Sequence, residues 1–147
     1  MAAKTLFNES DVKALVARLE RIKPDDQPLW GSMTPAKMVA HLVDSVDFAL
    51  NGPIDAKPET GPPMFIRTLV RLYVPLPKNV KTTRDMLKTT PETDDIDLKP
   101  LKALLEQMRT SGQSQFAVHP FFGPLTGEQW ARLGWKHMDH HLRQFGV

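Results

Sequence analysis

Residues 130–145 read WARLGWKHMDHHLRQF and contain three of the five histidines of the chain. Apolar side chains recur in this stretch at the three- and four-residue steps of an α-helix. Because a helix advances about 100° per residue, His141 lies roughly 40° to one side of His137 and His140 roughly 60° to the other. The stretch therefore predicts a helix that carries a histidine pair, His137 and His141, on its buried face.

The His-x-x-x-His spacing suits a metal ion, because Cβ atoms four residues apart on a helix are separated by about 6 Å. Two imidazoles at this spacing can reach one ion with Zn–N bonds of about 2.0–2.1 Å. His41 is the candidate third ligand, since it falls in the apolar stripe of another predicted helix. His140 could replace His141 as a ligand, because it lies three positions after His137. Alternatively, it could contact one of the metal-ligating residues without binding the metal itself. The competing interpretation is that these histidines are core residues hydrogen-bonded to one another.

The residue types narrow the kind of site. The chain contains no cysteine, which excludes disulfides, thiolate metal sites and a catalytic cysteine. It contains no Glu-x-x-His, which disfavours the dinuclear carboxylate sites of helical bundles. Met138 follows the first histidine of the pair, where the helix of a zinc protease needs glutamate. The sequence therefore predicts a mononuclear site held by imidazoles.

Capping residues and apolar periodicity predict four main helices in 147 residues, which form one domain. Asn8 and Thr34 are N-cap candidates, Pro35 suits a first helical position, and Thr126 with Gln129 forms a capping box. The predicted helices span residues 8–23, 35–50, 97–109 and 127–145, with a short helical segment at 64–73. The long connection from 51 to 95 is explained if the second and third main helices run parallel and the chain must cross back along the bundle.

Three blocks carry a resemblance to a known family: residues 30–42 (WGSMTPAKMVAHL), 119–126 (HPFFGPLT) and 136–145 (KHMDHHLRQF). With these blocks the chain resembles the DinB/YfiT-like metalloenzyme superfamily. The resemblance implies that residues 1–147 form a single DinB-like helical bundle domain. It implies an all-α fold, a four-helix bundle of up-down-down-up order, with a long crossover between helices two and three.

The resemblance also implies a divalent metal site built from one histidine of helix two and the His-x-x-x-His pair of helix four. These positions are His41, His137 and His141. Zinc or nickel is expected first, with iron or copper as alternatives, since three imidazoles suit all four metals. Better-studied relatives are metal-dependent transferases or isomerases that use low-molecular-weight thiols, which implies a small-molecule substrate of this kind. The alternative is a non-catalytic metal-binding or stress-related bundle that acts through an interface.

Four further residues have a functional and a structural interpretation. His119 could act as a proton shuttle, but a structural loop residue is favoured. Asp44, one turn from His41, could orient a ligand or act as a base, but a solvated carboxylate at the helix edge is favoured. Arg67 and Arg71 could bind an anionic thiol or substrate, although two arginines one turn apart usually form a solvated face.

The charge balance limits the partners. The formal net charge is +2, an excess too small to imply binding to nucleic acid. One loop, here called the basic loop, is rich in lysine and arginine but has no aromatic residue among them. Its basic residues are Lys78, Lys81, Arg84 and Lys88. No apolar run reaches the roughly 18 residues of a membrane span, so we expect a soluble cytoplasmic protein. A homodimer is compatible with the sequence, which does not decide the oligomeric state.

Overall fold

The computed structural model describes residues 2–81 and 86–147. Within these residues the chain forms five α-helices: α1 (Glu9–Leu19), α2 (Pro35–Asn51), α3 (Met64–Tyr73), α4 (Lys99–Thr110) and α5 (Gly127–Gln144). The same residues contain no β-strand. Both α1 and α2 pack against α4 and α5. The all-α class predicted from the sequence is therefore confirmed, and the short segment at 64–73 is α3.

Three helices begin where the sequence places their caps. The Asn8 side chain accepts a hydrogen bond from the N–H of Asp11, and the Thr34 side chain accepts one from Lys37. Thr126 and Gln129 form the predicted capping box at the start of α5. These bonds satisfy N–H groups that have no partner inside the helix, so they stabilise each start locally.

Two helix ends differ from the prediction. The first helix ends at Leu19 and not near Lys23, and the N–H of Ile22 donates to the carbonyl of Leu19 in a tighter turn. Pro24 disfavours helical backbone at Lys23, so the helix does not resume after this turn. Helix α4, predicted as the third main helix, begins at Lys99 and not at Asp97. The Asp97 side chain accepts a hydrogen bond from the Lys99 N–H and forms a turn of its own.

The core lies between α1, α2, α4 and α5, and His41 is one of its members. Only 2% of His41 is exposed, although it is a polar side chain. The largest apolar side chains that are fully buried are Leu6, Leu15, Leu19, Met38, Leu42, Leu101, Leu105, Met138 and Leu142. Because α2 and α5 both contribute to this core, His41 faces the helix that carries the other histidines.

Arg67 joins the segment between α2 and α4 to the loop before α5. Its guanidinium donates to the carbonyls of Pro62, Phe121 and Glu59 at 2.7, 2.6 and 2.8 Å, and it lies 4.9 Å from the centre of the Phe121 ring. Arg67 is buried, with 4% of its surface exposed. The expectation of a solvated arginine pair is therefore wrong for Arg67, which has a structural role.

Replacing Arg67 with methionine is expected to lower the free energy of unfolding by about 3 kcal/mol, because three buried carbonyls lose a charged donor. The matched change Arg71→Met should lower it by less than about 1 kcal/mol, since Arg71 is only half-buried. Urea denaturation followed by circular dichroism measures both values. Equal losses for the two variants would contradict the structural role of Arg67.

Helix α3 lies on the surface of the molecule. Val70 packs against the core, whereas most apolar side chains of the helix are exposed: Met64, Phe65, Ile66, Leu69, Leu72 and Tyr73. Within the described ranges, no helix has the length and apolar character needed to cross a membrane.

Candidate metal centre

Three imidazoles from two helices converge at one point of the structure. The Nε2 atom of His137 lies 2.9 Å from Nε2 of His41 and 3.1 Å from Nε2 of His141. The ligand atoms of all three rings lie within 4.8 Å of one another. His41 comes from α2, and His137 and His141 come from α5. The structure thus brings together the three residues that the sequence proposed.

The outer ring nitrogens of two histidines have partners that define the tautomer. Nδ1 of His41 lies 2.7 Å from the carbonyl oxygen of Met86, which can only accept a hydrogen bond. Nδ1 of His141 lies 2.9 Å from the amide oxygen of Gln144, whose amide nitrogen donates to the Trp30 carbonyl at 2.9 Å. Each Nδ1 must therefore carry the proton, and each Nε2 presents a lone pair to the centre.

The proton count at the centre favours a cation. The lone pairs of His41 and His141 both face Nε2 of His137, and a neutral ring has a single N–H. If that N–H is on Nε2, it can donate to only one of the two rings, and the lone pair of the other ring has no donor; if it is on Nδ1, lone pairs face each other across both contacts. A metal ion with bonds of about 2.0–2.1 Å separates neighbouring ligand nitrogens by about 2.8–3.4 Å, which matches both distances. The residues present therefore fit a divalent ion.

Burial keeps these imidazoles neutral. Desolvation lowers the pKa of His41, although the hydrogen bond to Met86 and the charge of Asp44 raise it. Desolvation and then the neighbouring histidines hold the pKa of His137 well below its usual value. Desolvation, with the proximity of His41, lowers the pKa of His141 to about 4. Neutral imidazole is the form that binds a metal, so the three rings are ready for one at pH 7.

Asp44 is buried, so the expectation of a solvated carboxylate is wrong. One oxygen accepts from the N–H of Thr89 and the other from the Thr89 hydroxyl, both at 2.7 Å. These bonds fasten the segment that contains Met86, whose carbonyl orients His41. Asp44 therefore supports the centre through the backbone that contacts His41, and both of its oxygens are engaged.

His140 lies beside the centre but outside the histidine cluster. Its ring packs edge-on against the rings of His141 and Trp30, with centroids 5.3 and 5.5 Å apart. The ammonium of Lys78 lies 4.4 Å from the centre of the Trp30 ring. The structure thus favours His141 over His140 as the partner of His137. Of the basic loop, Arg84 lies outside the described residues.

Two pockets reach His137. The first, here called the outer pocket, has a volume of about 540 Å³ and is also lined by His140, His141 and the exposed residues Lys37 and Lys81. The second, here called the apolar cavity, has a volume of about 310 Å³. Neither Arg67 nor Arg71 lines these pockets, so the structure gives no support to anion binding by that pair at the centre.

His119 has a clear structural role. Its Nδ1 accepts hydrogen bonds from the N–H groups of Phe121 and Phe122, both at 3.0 Å. These bonds shape the loop before α5, where His119 also pairs with Gly123 through two backbone bonds of 2.9 Å. Burial lowers the pKa of His119 to about 4, so the ring is neutral near pH 7. The interpretation as a structural loop residue is confirmed.

Two groups that orient the histidines were not singled out from the sequence. Gln144 lies three positions after His141 on the same helix, so helical spacing alone could have identified it. The Met86 carbonyl is separated from His41 by 45 positions, and a backbone oxygen has no signature in the sequence. Only the tertiary structure reveals this second contact.

The comparisons with known proteins identify a family. A search of curated proteins and a search of solved structures each found no match to the chain. A family profile described as "Protein of unknown function (DUF1569)" matches residues 3–146. The match covers almost the whole chain, including the three converging histidines, and the chain therefore belongs to the DUF1569 family.

Proposed function

We propose that this protein is a mononuclear metal-dependent enzyme of the DinB/YfiT-like type, a thiol-dependent S-transferase or isomerase. The observation that carries the proposal is the convergence of three Nε2 atoms, two of them fixed as lone-pair donors by Met86 and Gln144. His41, His137 and His141 would hold one divalent ion. Zinc or nickel suits this donor set best, and iron or copper is an alternative.

The openness of the centre supports an enzyme over a closed structural site. Structural zinc sites have four protein ligands, whereas catalytic sites have three and leave a position for substrate. Three imidazoles are present, and the outer pocket of about 540 Å³ reaches two of them, His137 and His141. A small molecule entering this pocket can therefore approach the proposed ion directly.

When bound, the ion would supply a Lewis acid that lowers the pKa of a thiol. The residues of the chain do the remaining work. The exposed ammonium groups of Lys37 and Lys81 line the outer pocket and attract the carboxylates of a low-molecular-weight thiol. The thiol would release its proton to water, and its sulfur would form a bond to an electrophilic carbon of the second substrate. The bond from that carbon to its leaving group would break, and the leaving group would depart with the electron pair.

The proposal extends to the architecture. Placement in the DinB/YfiT-like superfamily entails a four-helix bundle of up-down-down-up order, with the segment from 52 to 98 as its crossover. The packing of α1 and α2 against both α4 and α5 supports this arrangement. The homodimer that is compatible with the sequence stays a prediction, which sedimentation velocity would test.

The reaction is tested by incubating the zinc-loaded and the nickel-loaded protein with glutathione, bacillithiol or mycothiol and 1-chloro-2,4-dinitrobenzene. We expect metal-dependent consumption of at least one thiol, lost after treatment with EDTA and restored by the metal. Elemental analysis should find about one divalent ion per chain. If that ion is present and none of the thiols is consumed, the non-catalytic metal-binding alternative replaces the enzyme.

A further inference from the structure

The apolar cavity lies beside the proposed metal centre, and one of the three proposed ligands, His137, lines it. Its volume is about 310 Å³. No carboxylate of a described residue lines it, so a cationic ligand would find no partner there. Most of its wall is apolar and includes Leu42, Val46, Met86, Phe122, Trp130 and Met138.

The cavity and the outer pocket meet at the same histidine. His137 lines both, and so do Leu76, Pro77 and Val80 of the segment after α3. The proposed ion therefore lies at the boundary between a pocket lined by Lys37 and Lys81 and a cavity whose wall is mostly apolar, although the exposed Lys81 also lines it. This arrangement suits two reactants of different polarity that approach one centre from two sides.

The polar side chains of the cavity wall leave one donor available, on the half-buried His119. The Ser45 hydroxyl donates to the carbonyl of His41 at 2.7 Å, and the indole N–H of Trp130 donates to the carbonyl of Ala117 at 2.9 Å. Lys81 is exposed, and His137 belongs to the centre. His119 is the remaining polar residue of the wall.

The tautomer of His119 follows from its loop. Because Nδ1 accepts from two backbone N–H groups, it cannot carry a proton, and the neutral ring must carry its proton on Nε2. Among the residues that the structure describes, this Nε2–H has no hydrogen-bond acceptor. The ring is held between Phe122 and Trp130, with centroids 4.8 and 5.1 Å away. The cavity wall thus contains a rigid, neutral donor in apolar surroundings.

We propose that the apolar cavity binds an uncharged aryl or alkyl ketone-like molecule, with its carbonyl oxygen accepting the Nε2–H of His119. A cavity of about 150 Å³ lined by apolar side chains holds benzene, so this one has room for roughly a ring and a short chain. That this molecule is the electrophile of the reaction rests on the proposed function. Its binding to the cavity does not, because α2, α5 and the loop around His119 form the wall.

The test compares three probes of similar size: butyrophenone, butylbenzene and 4-phenylbutyrate. Each is titrated into the full-length protein, zinc-loaded and after EDTA, and dissociation constants are obtained from amide chemical shifts in NMR spectra. We expect butyrophenone to bind about 3- to 10-fold more tightly than butylbenzene in both forms, through one net hydrogen bond. The anionic 4-phenylbutyrate should bind most weakly, because its charge would be buried among apolar side chains.

Two kinds of variant assign the binding to the cavity. His119→Asn keeps a side-chain oxygen that can accept from the same backbone N–H groups, as in an Asx-turn, and removes the Nε2–H. It should reduce the affinity for butyrophenone to that for butylbenzene and leave the latter unchanged. Val46→Phe should weaken both by filling the cavity, whereas the matched change Val12→Phe, outside the cavity wall, should weaken neither. Ala49→Leu replaces Val46→Phe if that variant does not fold.

The outcomes separate this proposal from the proposed function. Equal affinities for the ketone and the hydrocarbon, or ketone binding that survives both cavity-filling variants, would overturn it even if thiol turnover were observed. Discrimination by His119 in a protein that takes up no divalent ion when zinc or nickel is supplied would support the cavity proposal and refute the metalloenzyme.

Discussion

Replacing His137 with alanine is expected to abolish tight binding of a divalent ion. His137 has the central Nε2 atom, 2.9 and 3.1 Å from those of His41 and His141, so its loss removes the ligand between the other two. The affinity for zinc should fall by more than about 100-fold, beyond the usual effect of removing an outer contact. Elemental analysis after gel filtration, and competition with a chromogenic chelator, measure occupancy and affinity. His41→Ala and His141→Ala should have effects of the same order.

Two further substitutions grade the effect. Gln144→Ala should weaken zinc binding by about 10- to 100-fold, because Nδ1 of His141 loses the acceptor that fixes its tautomer. His140→Ala should leave the affinity for zinc within about 3-fold of that of the unchanged protein. His140 is half-buried and lies outside the cluster, so its removal should have little effect. Full occupancy in His41→Ala would refute the ligand assignment. If His140→Ala lost the metal and His141→Ala retained it, the ligand beside His137 would be His140 and not His141.

The metal-free protein is expected to lose stability steeply when the pH falls from 7 to 5. Burial lowers the pKa of His119 and of His141 to about 4, whereas an unfolded histidine titrates near its ordinary value. Between these values the unfolded chain binds more protons than the folded one, so the free energy of unfolding decreases as the pH falls. Each of the two histidines should contribute a loss of about 2 kcal/mol over this interval. Urea denaturation in EDTA at a series of pH values measures the slope.

A matched variant separates the two contributions. His119→Asn removes one titrating group and keeps an acceptor for the backbone N–H groups of Phe121 and Phe122, so the loss between pH 7 and 5 should shrink by about 2 kcal/mol. The remaining loss is then due to the buried histidines of the centre. A slope that is the same with and without His119 would show that this ring does not resist protonation in the folded protein.

Several structural features depend on neighbouring residues and could be predicted from the sequence. Asn8, Thr34 and Thr126 cap helices in the structure as predicted, because a cap involves residues two or three positions apart. The choice of His141 over His140 followed from helical angles about His137, and the structure places His141 in the cluster. Local geometry was sufficient in each of these cases.

The errors concern residues whose partners are distant in the chain. Asp44 was expected to be solvated, yet it is covered by Thr89, 45 positions away. Arg67 was expected on a solvated face, yet it donates to the carbonyl of Phe121, 54 positions away. Both partners lie outside the helices that contain the two residues, in connections whose path no helical periodicity describes.

The sequence by itself determined the helices, the histidine pair on one face of α5 and the restriction of the site to imidazole ligands, because these depend on local spacing and on residue type. The tertiary structure alone decided that His41 meets His137, across 96 positions, and that the Met86 carbonyl directs the lone pair of His41 to the same point. It alone created the outer pocket and the apolar cavity on either side of His137. The physical reason is that these features arise from packing between segments distant in sequence, where burial removes water and leaves each polar group to find a partner within the fold.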